Sequence, residues 1–144
     1  MAMDTFKGWP LDGALTLNVK PKDGEDIVAG MFVYRDTNGE LVKGVGAAGE
    51  RAYFALENQS DYAVIGAQKM AVVTHNAIML TDQYDTGGSY DYKTPLEVDS
   101  ANPGKVKVHS GGGAPVVGYA DGFESRDLLG TGSSTDFLKI HIGS

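Results

Sequence analysis

The sequence contains no cysteine, which excludes disulfides, thiol nucleophiles and thiolate metal sites. It has no basic run either, and twelve lysines and arginines stand against nineteen acidic residues, for a net charge of −7. Because sequence-independent nucleic-acid binding depends on neutralising phosphates, this balance disfavours a nucleic-acid partner. No segment approaches the roughly 20 apolar residues of a membrane span, and residues 1–10 lack a signal-peptide core. We expect a soluble protein, made in a cytoplasm, without a nucleic-acid or membrane partner.

Catalytic motifs are also missing from the sequence. It has no G-x-S-x-G, H-E-x-x-H or G-x-x-x-x-G-K-[ST] pattern. The obvious general bases are His75, His109 and His141, but the last two occupy polar positions of predicted strands, where a solvated imidazole is the default. Residues 44–49 match G-x-G-x-x-G, yet no adequate amphipathic helix follows, so we predict a flexible loop. The sequence predicts no enzyme, no catalytic residue and no bound cofactor.

Residues 81–92 combine three aspartates with three tyrosines. Carboxylates in such number can hold calcium, but their spacing matches no calcium loop and the closing glutamate is missing. We therefore predict a solvated loop with aromatic packing and no metal site. The residues concerned are Asp82, Asp85, Asp91, Tyr84, Tyr90 and Tyr92.

Short alternating segments dominate the rest of the chain. Apolar residues occupy every second position in residues 15–19, 105–109 and 137–142, which is the period of a half-buried strand. Residues 31–34 are all apolar and are typical of a strand covered on both faces. Residues 69–80 favour two strands that meet at His75 and Asn76, with a helix as the alternative.

Glycine and proline mark the turns between these segments. Twenty of the 144 residues are glycine, about twice the usual share. Asn38-Gly39 predicts a tight hairpin, and Asn102-Pro103-Gly104 predicts a turn. Residues 105–109 and 115–120 flank Gly111–Gly113 and predict a second hairpin. Residues 57–61 and 121–136 are polar, and we expect loops there.

These patterns predict an all-β fold, either a compact antiparallel β-barrel or a sandwich, with long glycine-rich loops and an extended N-terminal arm. A chain of 144 residues is one ordinary domain, so we assign residues 1–13 to the arm and 14–144 to a single β domain. The arm contains Phe6, Trp9, Pro10 and Leu11. It either folds back onto the domain, as large aromatics usually do, or docks on a partner, where tryptophan is enriched. Deleting residues 1–11 would distinguish the two, because only the first requires a large loss of stability.

The order of segments across residues 26–142 is similar to that of a known family. The segments are residues 30–34 leading through Asn38-Gly39, then 53–57, 80–85, 92–98, a turn at Pro103-Gly104, then 116–119 and a strand that ends at Ile142. In this order and spacing the chain resembles the small all-β capsid decoration proteins of tailed bacteriophages, which are also called cement or head-stabilising proteins. None of these residues is an active-site signature.

The resemblance implies a non-enzymatic virion protein on the outer surface of the mature capsid. Such a protein is made in the bacterial cytoplasm and bridges subunits of the major capsid protein, often as a homotrimer. The resemblance further implies that an N-terminal arm helps to dock, but it transfers no specific contact residue. A cement protein needs an adhesive edge or arm, and on that physical ground Phe6, Trp9, Pro10 and Leu11 are the candidate contacts. Two alternatives stay open: a tail or fibre domain of the virion, and a barrel that binds a small ligand or carbohydrate between Tyr84, Tyr90 and Tyr92.

Overall fold

A computed structural model describes residues 8–12, 15–47, 49–64, 68–127 and 130–143, with the backbone alone for 8–12, 15 and 62–64. No helix in this part of the chain is long and apolar enough to cross a bilayer. The predicted all-β class is confirmed. The described strands are β1 (Gly8–Asp12), β2 (Leu15–Val19), β3 (Phe32–Arg35), β4 (Leu41–Val42), β5 (Tyr53–Ala55), β6 (Met70–His75), β7 (Ala77–Thr81), β8 (Pro95–Val98), β9 (Val106–Val108), β10 (Gly118–Arg126) and β11 (Thr135–Ile142), and a helix, α1 (Gln59–Val64), precedes β6.

The strands form two antiparallel sheets. The six-stranded sheet has the order β1-β7-β11-β10-β8-β9, and the five-stranded sheet has the order β2-β6-β5-β3-β4. Strands β6 and β7 are consecutive but lie in different sheets, and Asn76 between them has a φ of 53°, a conformation that asparagine tolerates. The two-strand prediction for residues 69–80 is therefore confirmed, and the helix alternative is wrong.

The main core lies between the two sheets. Phe32 and Phe54 of the five-stranded sheet meet edge to face, with ring centroids 5.1 Å apart, a favourable geometry for aromatic pairs. Leu138, Ile140 and Ile142 reach the same core from β11, as the alternation of that segment predicted. The architecture is therefore sandwich-like.

The five-stranded sheet has a second core on its other face. Val33, Ala55 and Val72 point into this core and are fully buried, so residues 31–34 are covered on both faces as predicted. The sheet curls until its two edges meet at a bridge between Pro21 and Leu41. The described strands nevertheless form two sheets rather than one closed barrel.

Two amide side chains hold the segment that covers this second core. Gln59 accepts a hydrogen bond from the N–H of Ile27 at 3.0 Å and donates to the carbonyl of Lys22 at 2.8 Å. Asn58 accepts from the N–H of Ala29 at 2.9 Å. The prediction of a loop over residues 57–61 is wrong from Gln59 onward, because α1 begins there and places these amides.

Both predicted turns are present. Strands β3 and β4 form the hairpin around Asn38-Gly39, and the Asp36 carboxylate accepts from the N–H groups of Asn38 and Glu40, each at 2.9 Å. Gly39 takes a φ of 78°, which glycine adopts without strain. Gly104 turns with a φ of 102° and its carbonyl accepts from the N–H of Phe32 at 3.0 Å.

The predicted hairpin between residues 105–109 and 115–120 is wrong. Strand β8 lies between β9 and β10 and pairs with both, through Val98 opposite Val106 and Leu96 opposite Gly118. The glycine-rich connection crosses this strand instead of forming a tight turn. It is held there because Glu97 of β8 accepts from the N–H of Ser110 at 2.6 Å.

The predicted loop over residues 121–136 is wrong at both of its ends, whereas Asp127 and residues 130–134 lie outside the strands as predicted. Strand β10 continues to Arg126 and β11 begins at Thr135. A β-bulge at Asp121 and Gly122 shifts the register between the two strands, and Gly122 takes a φ of 73°. The polar residues 121–126 thus belong to a strand with a bulge, where burial is incomplete.

Candidate docking surface

The outer face of the six-stranded sheet carries exposed apolar side chains. Because Ala120 of β10 points into the main core, its neighbour Tyr119 points outward and is 47% exposed. Val116 is 43% exposed and Tyr92 is 66% exposed. We name these three residues the Tyr119 patch.

Two open grooves flank Tyr119 and make the patch continuous. One groove, of about 480 Å³, is lined by Tyr92, Lys93, Tyr119, Ala120 and His141. The other, of about 380 Å³, includes Val116 and Tyr119 together with Glu50 and Arg51. The Tyr119 side chain therefore separates the groove that contains Tyr92 from the groove that contains Glu50 and Arg51.

Charged groups of both signs surround the Tyr119 patch. The Lys93 ammonium lies 5.4 Å from the ring centroid of Tyr92, within the range of a cation–π contact. His141 Nε2 lies 2.8 Å from Asp121 Oδ2. Aromatic residues within a polar rim are the composition of interaction hot spots.

The backbone beneath the Tyr119 patch is constrained. Lys93 has a φ of 68°, which is uncommon for a residue with a long side chain. Its N–H donates to the carbonyl of Ala120 at 2.9 Å, and the N–H of Thr94 donates to the carbonyl of Asp91 at 3.1 Å. The turn that presents Tyr92 and Lys93 is thereby tied to β10.

The four predicted arm contacts divide between two parts of the sequence. Phe6 lies outside the described residues. Trp9, Pro10 and Leu11 belong to β1, whose backbone pairs with β7 at the edge of the six-stranded sheet. Trp9 is opposite Leu80 in register, and Leu80 is fully buried. A docking role for these four residues stays a prediction.

The three tyrosines of residues 81–92 do not line one site. Tyr84 and Tyr90 pack edge to face at 5.7 Å, and both contact the ring of Phe123, at 5.6 and 5.8 Å. Tyr90 is buried and donates to the carbonyl of Asp85 at 2.5 Å. Burial raises the pKa of Tyr90 to about 12, and nearby Asp85 adds to the effect. Tyr92 belongs to the Tyr119 patch instead.

The aspartates of the same segment are equally dispersed. Asp85 forms a hydrogen-bonded pair with Asp99, and burial followed by this contact raises the Asp85 pKa. Asp99 keeps a lowered pKa because it accepts from Asp85, from Asn102 and from the N–H of Ala101. Across the described ranges, no three acidic or histidine side chains are placed to hold a metal ion.

The three histidines have separate partners. His75 Nδ1 lies 2.7 Å from the hydroxyl of Thr74. His109 accepts from the N–H of Gly111 at its Nδ1, so its Nε2 donates to the carbonyl of Ala114 at 2.8 Å. His141 pairs with Asp121 beside the Tyr119 patch. The described residues that line the groove there include neither serine nor threonine.

No protein-family model matches this chain, and a search of curated proteins found no significant match.

Sequence reasoning missed the Tyr119 patch as a unit. The alternation of Tyr119 with Ala120 could have identified an outward tyrosine on a strand. The position of Tyr92 had no such signal, because it depends on the left-handed turn at Lys93 and on the pairing of β8 with β10.

Proposed function

We propose that the protein is a structural component of a tailed-bacteriophage virion that binds the outer surface of the mature capsid and bridges subunits of the major capsid protein. The observation that carries the proposal is the Tyr119 patch, an exposed aromatic surface on a tightly packed β-sandwich. In this role the protein is a non-enzymatic homotrimer, and the Tyr119 patch and the N-terminal arm contact the shell.

The packing of the two sheets supports a cementing role. A protein that holds a shell together must transmit load without deforming, and close-packed interiors have low compressibility. The central strands β5 and β6 of the five-stranded sheet have side chains in both cores, so they are held by packing as well as by hydrogen bonds. The six-stranded sheet presents the Tyr119 patch on this support.

The net charge of −7 also agrees with a position outside the shell. An acidic protein gains nothing from contact with packaged DNA, because phosphate binding requires cations. Lys93 and Arg51 bring positive groups to the grooves beside Tyr119, where Glu50 is the one acidic residue among the described lining residues. The proposed contact surface is therefore less acidic than the chain as a whole.

Co-sedimentation with capsid shells tests the proposal. Purified protein is mixed with mature and with unexpanded shells of its source phage, and its mass in solution is determined in parallel. We expect saturable binding to mature shells only, and a mass of three chains. Absence of binding to both shells would overturn the capsid proposal, whereas binding to isolated tails would assign the protein to the tail.

The arm needs a variant that leaves β1 in place. Deleting residues 1–11 would remove most of a strand that pairs with β7, so a loss of binding could follow from altered folding. Deleting residues 1–7 keeps the whole of β1. If the preceding segment, which contains Phe6, contacts the shell, this shorter deletion weakens shell binding while the melting temperature stays within a few degrees of wild type.

A further inference from the structure

The second half of β10 is a free sheet edge. Strand β8 pairs with β10 through Leu96 opposite Gly118 and Pro95 opposite Tyr119, and the last backbone contact is the Lys93 N–H on the carbonyl of Ala120. The turn at Lys93 then leads the chain away. Beyond the bulge, residues 123–126 pair with β11 alone among the described strands.

The phase of the ladder identifies which backbone groups face this free edge. The N–H and C=O of Ala120 both bond toward β8, so Ala120 and its partner Ile140 do not bond to each other. Phe123 lies opposite Leu138, and Ser125 lies opposite Asp136. On the unbulged strand β11, Leu138 and Asp136 lie two and four residues from Ile140. Their backbone N–H and C=O groups therefore point the same way as those of Ile140, away from β10. The backbone groups of Phe123 and Ser125 therefore point away from β11.

These groups have no backbone partner in the described part of the chain, and an apolar side chain stands beside them. Phe123 is 51% exposed, although it lies on the same face as buried Leu138. Its ring contacts Tyr84 and Tyr90. Strand addition uses unpaired main-chain groups for affinity and neighbouring side chains for specificity. The free edge of β10 offers unpaired main-chain groups together with the apolar ring of Phe123.

We propose that this edge accepts an extended segment of a capsid subunit as an added β-strand. The inference rests on the proposed capsid-binding function and specifies its contact. The added strand would pair with β10 beyond the last contact at Lys93, on the same side as β8 and next to the Tyr119 patch. It would place an apolar side chain beside Phe123 and polar side chains beside Glu124 and Arg126, which form an ion pair of 2.7 Å on the other face.

A second copy of this chain fits the edge less well. In a two-fold antiparallel pair, all the free backbone groups bond only if Phe123 of each copy lies opposite Ser125 of the other. That register puts Glu124 of one copy directly opposite Glu124 of the other, and like charges in this position are destabilising. A segment from a different protein carries no such constraint.

A proline at Ser125 tests the proposal, with alanine as the matched control. Ser125→Pro removes the outward N–H, which β11 does not use, while Ser125→Ala removes only the hydroxyl that contacts Asp136. In co-sedimentation with mature shells, we expect Ser125→Pro to weaken binding by about tenfold or more and Ser125→Ala to stay within about twofold of wild type. The melting temperatures of both variants should match.

The outcomes separate this inference from the proposed function. Equal binding by the two variants, with wild type bound, would overturn the added strand and leave the capsid function intact, whereas failure of wild type to bind would overturn both. Self-association of the free protein that Ser125→Pro abolishes would identify a second copy as the occupant and overturn the capsid segment. If Ser125→Pro does not fold, hydrogen exchange of wild type decides: shell binding should protect the Phe123 and Ser125 amides, and unchanged exchange would overturn the proposal.

Discussion

The two sheets are built from similar strands and differ in what lies on their second face. In the five-stranded sheet, Phe54 points into the main core and its neighbour Ala55 into the second core, and neither is exposed. In the six-stranded sheet, Ala120 points into the main core while Tyr119 is 47% exposed. The central strands β5 and β6 of the five-stranded sheet are buried on both faces and offer no surface to a partner, whereas the edge strand β2 is exposed at Leu17. We therefore expect substitutions in the central strands of the five-stranded sheet to change stability and those around Tyr119 to change binding.

The largest expected effect is that of Phe54→Ala in the five-stranded sheet. Phe54 is fully buried and packs edge to face on Phe32, so its removal leaves a cavity in the main core. Losses of about 3–5 kcal/mol are typical for such substitutions. Urea unfolding, monitored by fluorescence and circular dichroism, measures the change. A loss below about 1 kcal/mol would show that the main core does not depend on this sheet as the packing indicates.

The cover of the second core gives the next largest effect. Gln59→Ala removes the acceptor for the N–H of Ile27 and the donor to the carbonyl of Lys22. A buried group left without a partner costs about 1–3 kcal/mol, so we expect a loss in that range. Faster hydrogen exchange at the Ile27 amide should accompany it. Ser60→Ala, next to Gln59 in α1 but exposed, is the control and should change neither.

Local residue patterns predicted the strands of both sheets better than their pairing. The alternation that ends in Leu138, Ile140 and Ile142 and the continuous apolar segment at Met31 each indicate a strand and the number of its buried faces. They do not say which strand lies alongside. The insertion of β8 between β9 and β10 depends on long-range contacts such as Leu96 opposite Gly118. A local residue pattern contains no information about such contacts.

The candidate docking surface was harder to predict for the same reason. Its tyrosines are Tyr92 and Tyr119, which are distant in sequence and meet through the left-handed turn at Lys93. The sequence did not predict the free edge of β10, because the polar residues Glu124, Ser125 and Arg126 are typical of a loop. Polar residues on a strand are what a partly exposed edge allows.

Glu97 tests whether the outer face of the six-stranded sheet is covered where the glycine-rich loop crosses it. Glu97 is buried and accepts from the N–H of Ser110 at 2.6 Å. This hydrogen bond, aided by His109 and Lys107, lowers the pKa of Glu97 from its ordinary value of 4.5, although burial acts in the opposite direction. Its stabilising contribution is therefore complete above about pH 4.5 and is lost as the pH falls through the lowered pKa.

We expect Glu97→Gln to make the free energy of unfolding less dependent on pH below about 4.5. Because glutamine keeps an acceptor for the Ser110 N–H and lacks the charge, the loss at pH 7 should be about 1 kcal/mol. Urea unfolding at pH 3 and pH 7 measures both quantities. An acid dependence as steep as that of wild type would mean that Glu97 is not held by Ser110, and that the loop leaves this part of the outer face open.

The smallest effect on stability, and the largest on binding, is expected for Tyr119→Ala. Leu17 of β2 is the matched control, because it is also 47% exposed but belongs to the five-stranded sheet. Each alanine variant should change the free energy of unfolding by less than about 0.5 kcal/mol. In co-sedimentation with mature shells, Tyr119→Ala should lose about tenfold or more in affinity, as hot-spot tyrosines do, and Leu17→Ala should bind as wild type. Equal losses in the two variants would show that exposed apolar area in general drives binding, and an affinity unchanged by Tyr119→Ala would remove the Tyr119 patch from the contact.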